Sequence, residues 1–181
     1  TYYANLNIKG MFDIDKNITK EVKLMLGIEN SNDQNNQVPD KFGASDVFDL
    51  NWVQLMNSYS CTECGRCSSV CPANLTGKKL SPRKIMMDTR DRLEEVGSNI
   101  FKNKGKFVSD NKQLLNNYIT KEELWACTSC NACVEACPIE IDPLSIIMDM
   151  RKYLVMEKSE APVDLNNMMS NIENNGAPWP F

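Results

Sequence analysis

All eight cysteines of this 181-residue chain fall into two copies of one pattern, Cys-x-x-Cys-x-x-Cys-x-x-x-Cys-Pro. The first copy is Cys61, Cys64, Cys67 and Cys71, followed by Pro72. The second is Cys127, Cys130, Cys133 and Cys137, followed by Pro138. No feature constrains the fold more, because the chain must curl twice in the same way to gather its thiols. This run is the one that holds [4Fe–4S] clusters, and in two-cluster proteins the fourth cysteine of each run ligates the other cluster. The pattern therefore implies two [4Fe–4S] clusters and an electron carrier.

The spacing has a physical reason. A cubane cluster needs four thiolates arranged tetrahedrally around a small inorganic core. Cysteines at i, i+3 and i+6 on a tight loop can reach three of its corners. The residues between must let the chain turn sharply, and Gly65 and Asn131, at equivalent places, are types that tolerate left-handed backbone. The fourth cysteine starts a new chain direction, and the proline after it removes a backbone donor.

Disulfides do not fit so dense and regular a spacing, and nothing marks a secreted domain. Zinc is the competing reading, since Cys-x-x-Cys pairs are common zinc ligands. A zinc ribbon pairs two such knuckles, whereas each run here adds a third and fourth cysteine at fixed offsets, then proline. The alternative left open is a zinc-binding structural or interaction module without redox activity.

The net charge of −4 argues against a nucleic-acid partner, which would require a basic surface. Histidine is absent, which excludes a Rieske centre, a histidine-ligated zinc site and imidazole as general base. Reduced thiols at this density imply a cytoplasmic location or the cytoplasmic face of a membrane. No apolar stretch is long enough to span a bilayer and none reads as a signal peptide. The chain starts at Thr1 rather than Met, which leaves open a preceding portion, and a membrane anchor could lie there.

Residues 1–44 read as an N-terminal extension or linker, with a short helix about Thr19–Ile28, a polar run at Glu29–Gln37 and Pro39. Residues 45–181 read as the domain. Ser45 offers an N-cap for a helix to about Asn57 that delivers the chain to the first cysteine loop. Ser81-Pro82 starts a helix to about Val96, where Gly97 is a natural stop. Residues 98–119 read as an exposed connection with a short helix at Asp110–Tyr118. Thr120 and Glu123 form a capping box for the helix entering the second loop. Asp142 caps a helix from Pro143 to about Met156, and a last helix is expected from Pro162 to Asn171.

The repeat extends beyond the cysteines. Ser81-Pro82 corresponds to Asp142-Pro143, Ile85 to Ile146, Met87 to Met148, Asp88 to Asp149 and Arg90 to Arg151. Two halves, each a cysteine loop plus a helix, would pack about a pseudo-twofold axis in a mainly α fold. Met86, Met87, Met148 and Met150 read as core or cluster-covering residues. Trp52 and Trp125, just before the loops, read as cluster shields or ordinary core. Lys78, Lys79, Arg83 and Lys84 make a basic patch after the first run, while Glu135, Glu140 and Asp142 make the second end acidic. A solvated face is the default reading. The functional one is that the ends dock different partners by charge.

Two such runs, each followed by a proline-initiated helix, resemble the α-helical ferredoxin domain. That domain occurs in the C-type and D-type subunits of heterodisulfide reductase, in the iron–sulfur subunit of anaerobic glycerol-3-phosphate dehydrogenase, and in succinate dehydrogenase and fumarate reductase. The tail Asn174-Asn175-Gly176-Ala177-Pro178-Trp179 is also similar to that family. The resemblance covers about Ser45 to Phe181. It implies one cluster on Cys61, Cys64, Cys67 and Cys137, and the other on Cys127, Cys130, Cys133 and Cys71.

One departure matters. Larger members of the family carry a Cys-Cys-Gly element that holds a substrate-facing cofactor, and this chain has no adjacent cysteines. No catalytic, substrate-converting site is visible. The expected role is therefore the electron-transfer domain or subunit of a larger Fe–S oxidoreductase, with membrane association left open. Its partners would be subunits or domains that donate and accept electrons.

Overall fold

The computed structural model of the chain describes residues 41–180 together with Thr19, Val22, Lys23, Leu26 and Gly27. The polar run at 29–37 and most of the expected Thr19–Ile28 helix lie outside the described residues. Within 41–180 the helices are α1 (Trp52–Ser60), α2 (Arg66–Ser69), α3 (Pro72–Leu75), α4 (Pro82–Lys102), α5 (Lys121–Ala126), α6 (Ala132–Glu135), α7 (Pro143–Met156) and α8 (Val163–Asn175). No strand occurs among the described residues, and the domain is mainly α.

The two halves repeat in space as they do in sequence. The long helix α4 packs on α1 and α2, and its counterpart α7 packs on α5 and α6. The two long helices also pack on each other and so join the halves. Their shared interior holds Leu80, Ile85, Met86, Leu124, Ile146, Ile147, Met150 and Leu154, each at most 1% exposed. Ile85 and Ile146, paired by the repeat, both have no exposed surface. Burying a side chain of that size contributes about 1.5–3 kcal/mol, so this shared interior secures the halves on each other.

Caps decide where the helices start. Ser81 accepts the Lys84 N–H at 3.4 Å with Pro82 in the first helical position. Asp142 does the same for Ser145 at 3.1 Å ahead of Pro143. Thr120 and Glu123 exchange hydrogen bonds as a capping box, as expected from the sequence.

The first helix starts later than expected. Asp49 turns its carboxylate back to accept the N–H groups of Ser45 at 2.8 Å and Asp46 at 3.1 Å. That closes a short 3-10 turn, Val47–Asp49, after which Leu50 is extended. A second box, Asn51 with Gln54, then starts α1. The helix α4 runs past the expected stop at Gly97 to Lys102. A glycine inside a helix costs only about 1 kcal/mol, and Val96 and Ile100 keep packing on the core on either side of it. The chain turns instead at Lys104 and Gly105, both with positive φ. The expected helix at 110–118 shrinks to one turn, Leu114–Asn117, interrupted by Leu115 (ψ 132°) and Asn116 (φ 75°). Its backbone bonds go elsewhere: Leu115 N–H donates to Ser45 O at 3.0 Å, and Asn116 N–H to Ile119 O at 2.8 Å.

Arg92 is the one arginine with no exposed surface. Its guanidinium donates to both carboxylate oxygens of Asp46 at 3.0 and 2.8 Å, and to Asp110 and the Lys112 carbonyl. It holds the Asp110 carboxyl down at about 2. One buried cation thus ties α4 to the segment before α1 and to the connection after it. This brings the 45–50 and 110–119 stretches together, where Leu115 N–H also donates to Ser45 O.

Candidate metal centre

The two cysteine loops have the same backbone. Each begins where a helix ends, with Cys61 at φ −66°, ψ 117° after α1, and Cys127 at φ −70°, ψ 127° after α5. Gly65 (φ 80°) and Asn131 (φ 61°) take the expected left-handed turn. Their carbonyls accept matching bonds: Ser68 and Ser69 N–H on Gly65 at 3.0 Å, Val134 and Glu135 N–H on Asn131 at 3.0 and 3.1 Å. The fourth cysteines correspond too, since Cys71 N–H donates to Ser68 O at 3.3 Å and Cys137 N–H to Val134 O at 3.2 Å.

A second left-handed residue in each loop escaped the sequence reading. Glu63 (φ 58°) and Ser129 (φ 55°) occupy equivalent places two residues after the first cysteine. Neither type signals that conformation by itself. The signal that could have found them is the repeat, because each is held by one of the paired arginines. Arg90 on α4 bonds Glu63 Oε1 at 2.6 Å, and Arg151 on α7 reaches Ser129 Oγ at 3.4 Å. The turn also aims a backbone donor at sulfur, with Ser129 N–H 3.4 Å from Cys127 Sγ. Such bonds to sulfur favour the anionic thiolate.

Cys61, Cys64, Cys67 and Cys137 line one cavity, together with Cys133. Met86, Ile139 and Ile141 form part of its apolar wall. Three cysteines of the first run and the last of the second therefore meet at one place. Of the remaining thiols, Cys71 is buried at the start of α3, Cys133 is buried, Cys127 is partly buried and Cys130 is exposed.

Burial pushes the Cys67 thiol up, and the nearby Cys61 and Cys137 add to it as like charges. Cys133 is pushed up to about 12 by burial first, then by Cys127, Asp142 and Cys67. Cys130 lies on the open side and is lowered, chiefly by the Ala132 N–H and then by the Thr128 hydroxyl. Crowded, half-buried thiolates need a positive core to neutralise them. Among the described residues no group of three cysteine, histidine or carboxylate side chains is close enough to hold a single metal ion. Each thiolate of a cubane binds a different iron, so a cluster accepts a wider set than one zinc ion does. The donor set fits iron–sulfur clusters.

The tryptophans divide. Trp52 is 55% exposed and belongs neither to the core nor to the cavity wall. Trp125 packs partly against the core with the Arg151 guanidinium 5.0 Å above its ring. Among the methionines, Met86 and Met150 are buried, whereas Met148 is 46% exposed and touches Ser129 Oγ at 3.9 Å.

Comparison with known proteins gives the same answer from sequence. Residues 60–141 match the model of the 4Fe-4S dicluster domain. The chain is 31% identical over 175 residues to the "Probable iron-sulfur-binding oxidoreductase FadF" of Bacillus subtilis, covering 81% of this chain and 25% of that protein. It is 31% identical over 156 residues to the "EtfAB:quinone oxidoreductase" of Syntrophomonas wolfei, covering 76% of this chain and 22% of that protein. Over 99 residues it is 32% identical to the C-type subunit of the ferredoxin/F(420)H(2)-dependent CoB-CoM heterodisulfide reductase of Methanosarcina acetivorans, covering 54% and 47%. The chain thus spans about a quarter of the length of the first two of these relatives. Nothing in the likenesses supports the zinc alternative. Residues 60–141 belong to the 4Fe–4S dicluster domain family, whose cysteine runs carry [4Fe–4S] clusters.

Proposed function

We propose that residues 45–181, preceded by an N-terminal extension, form the electron-relay domain of a larger oxidoreductase, with cross-shared cluster ligands. One cluster would be held by Cys61, Cys64, Cys67 and Cys137. The other would be held by Cys127, Cys130, Cys133 and Cys71. The observation that carries this reading is the cavity in which Cys137, the last thiol of the second run, stands among the first three thiols of the first. The matched loop backbones support the reciprocal arrangement for Cys71.

A [4Fe–4S] cluster supplies one-electron acceptance and donation. The chain's own residues position and shield. The tight turns gather three thiols on each loop, and the fourth cysteine, just ahead of its proline, would reach the cluster of the other half. Ile139, Ile141 and Met86 exclude water from one side of the cavity. Ser129 N–H and the arginines on α4 and α7 fix the loops' shape.

The electron donor and acceptor would be other domains or subunits. This is supported by relatives whose names join EtfAB to a quinone, or ferredoxin to a heterodisulfide. No helix among the described residues is long and apolar enough to cross a membrane. In this reading a membrane acceptor would be met by docking or through further segments, at the cytoplasmic face. Iron and acid-labile sulfide, counted per chain after anaerobic reconstitution, test the reading together with EPR of the reduced protein. About eight of each with spin-coupled signals is the expected result. Tightly bound zinc with no EPR signal overturns it.

A further inference from the structure

Structure redistributes the basic patch seen in the sequence. Lys79 is paired with Glu122 at 2.6 Å, and Lys84 with Asp88 at 2.6 Å and Glu123 at 2.9 Å. Arg83, the second residue of α4, has no carboxylate on its guanidinium among the described residues, and neither has Arg66, the first residue of α2. Both are exposed and both line the cavity that holds Cys61, Cys64, Cys67 and Cys137. Ser68 Oγ on α2 bonds the start of α4: it lies 2.7 Å from Ser81 Oγ and accepts the Arg83 N–H at 3.3 Å. This fixes the start of α4 against α2.

The second half has nothing comparable. Ala132 and Leu144 occupy the places equivalent to Arg66 and Arg83, and the acidic Glu135 occupies that of Ser69. Two otherwise matched loops therefore differ at their rims by two free guanidinium groups. Beside them Cys64 is exposed. Electron transfer weakens steeply with distance, so a partner must seat close to such an exposed ligand. The chain as a whole is acidic, with a net charge of −4 even with these two arginines counted. An acidic partner is repelled by most of this surface and attracted at one edge, which orients the encounter.

We infer that the Arg66–Arg83 edge is the docking surface for an acidic redox-partner protein, whose carboxylates seat on the two guanidinium groups while its redox group faces Cys64. The inference rests on the cluster assignment proposed above. One electron passes per encounter, from the reduced to the oxidised partner, and no bond is made or broken. Arginine suits the task because its planar fork stays charged and pairs carboxylates in a bidentate way.

Stopped-flow oxidation of the dithionite-reduced, cluster-loaded protein tests this with two small probes, anionic ferricyanide and cationic hexaamminecobalt(III). In R66Q/R83Q the ferricyanide rate constant at low salt is expected to fall about tenfold, the lower end of electrostatic steering effects. The difference closes at high salt, R66K/R83K keeps the rate, and the cobalt probe is not slowed. Poly-L-glutamate, presenting a run of carboxylates as an acidic partner would, competes with ferricyanide for the wild type and not for R66Q/R83Q. Equal ferricyanide rates in wild type and variant at full iron content overturn the inference, as does poly-L-glutamate without effect. Absence of iron and sulfide from the wild type would sink the cluster assignment itself, so the two failures are told apart. Single variants R66Q and R83Q serve if the double variant loses iron.

Discussion

Nη2 of Arg90 lies 2.6 Å from Oε1 of Glu63, so the arginine that braces the first cysteine loop meets a carboxylate. Its counterpart Arg151 meets carbonyls instead. It donates to Leu124 O from Nε at 3.0 Å and from Nη2 at 2.6 Å, and to Cys127 O at 2.5 Å. No carboxylate among the described residues is paired with it. Burial lowers its pKa, opposed by the neighbouring Cys127. With Asp91 also 3.6 Å from Arg90, one half presents a fully compensated arginine to its loop, and the other a half-buried cation with no carboxylate partner among the described residues.

That cation should set the potential of whatever the second loop holds. Reduction adds negative charge, which a nearby cation favours. A unit charge at about 7 Å with an effective dielectric of about 20 is worth about 2 kcal/mol, on the order of 100 mV for one electron. Arg151→Met is expected to lower the midpoint of the second-loop cluster by up to that amount and leave the other nearly unmoved. A potentiometric EPR titration reads both. If both midpoints shift equally, or neither shifts, the charge is not acting locally.

Asp46 is the strongest single test of the framework. It gives both oxygens to the fully buried Arg92 and also accepts the Leu114 N–H at 3.2 Å. Asp46→Ala leaves a buried guanidinium with only part of its countercharge. Breaking a buried pair from one side costs about 3–5 kcal/mol. Denaturant unfolding of the loaded protein should show a loss of that order. A change below about 1 kcal/mol would mean that Asp110 alone suffices for Arg92.

Two glycines with positive φ should respond very differently. A Cβ on Gly43 (φ 72°) would sit 2.3 Å from the Asp149 carbonyl oxygen and 2.4 Å from Tyr153 N, both backbone atoms of α7. A Cβ on Gly65 (φ 80°) meets nothing within 4 Å. Gly65→Ala therefore carries only the left-handed strain of about 1–2 kcal/mol and should still take up iron. Gly43→Ala adds a clash that only backbone movement relieves, and its melting temperature should fall well below that of Gly65→Ala. Equal melting temperatures would show that the 41–44 segment does not hold its place on α7.

The difference between these glycines shows what sequence could and could not reveal. Gly65 was legible because its twin Asn131 sits at the same offset from the cysteines, and local geometry alone fixes both. Gly43 was not, because its requirement comes from α7, more than a hundred residues later in sequence. Helix starts read well wherever the cap is a local exchange, as at Ser81, Thr120 and Asp142. The start at Ser45 read wrongly because the Asp49 carboxylate, itself four residues on, took the amides that a helix would have left free. The stop at Gly97 failed for a tertiary reason, since Val96 and Ile100 pack on either side of it. The thiol pattern was the clearest signal. The arginines that brace the loops were visible only as a repeat, and the same repeat pairs Glu63 with Ser129, but their left-handed backbone showed only in the structure.

The cross-shared ligand scheme makes an asymmetric prediction that a simpler scheme does not. If each run held its own cluster, Cys71→Ser would damage the first-loop cluster and Cys137→Ser the second. In the proposed arrangement the outcome is reversed, because Cys137 stands among Cys61, Cys64 and Cys67. Cys71→Ser should therefore perturb the cluster on Cys127, Cys130 and Cys133, and Cys137→Ser the cluster on the first loop. Serine keeps size and hydrogen bonding but offers a harder oxygen ligand, so the affected cluster should lose iron or change its EPR signal while its neighbour persists. The Arg151→Met shift supplies an independent label for the second-loop cluster. Combining it with each serine variant identifies which signal has changed. If Cys71→Ser removes the unshifted signal and spares the one that Arg151→Met moves, each run holds its own cluster and the exchange between halves is wrong.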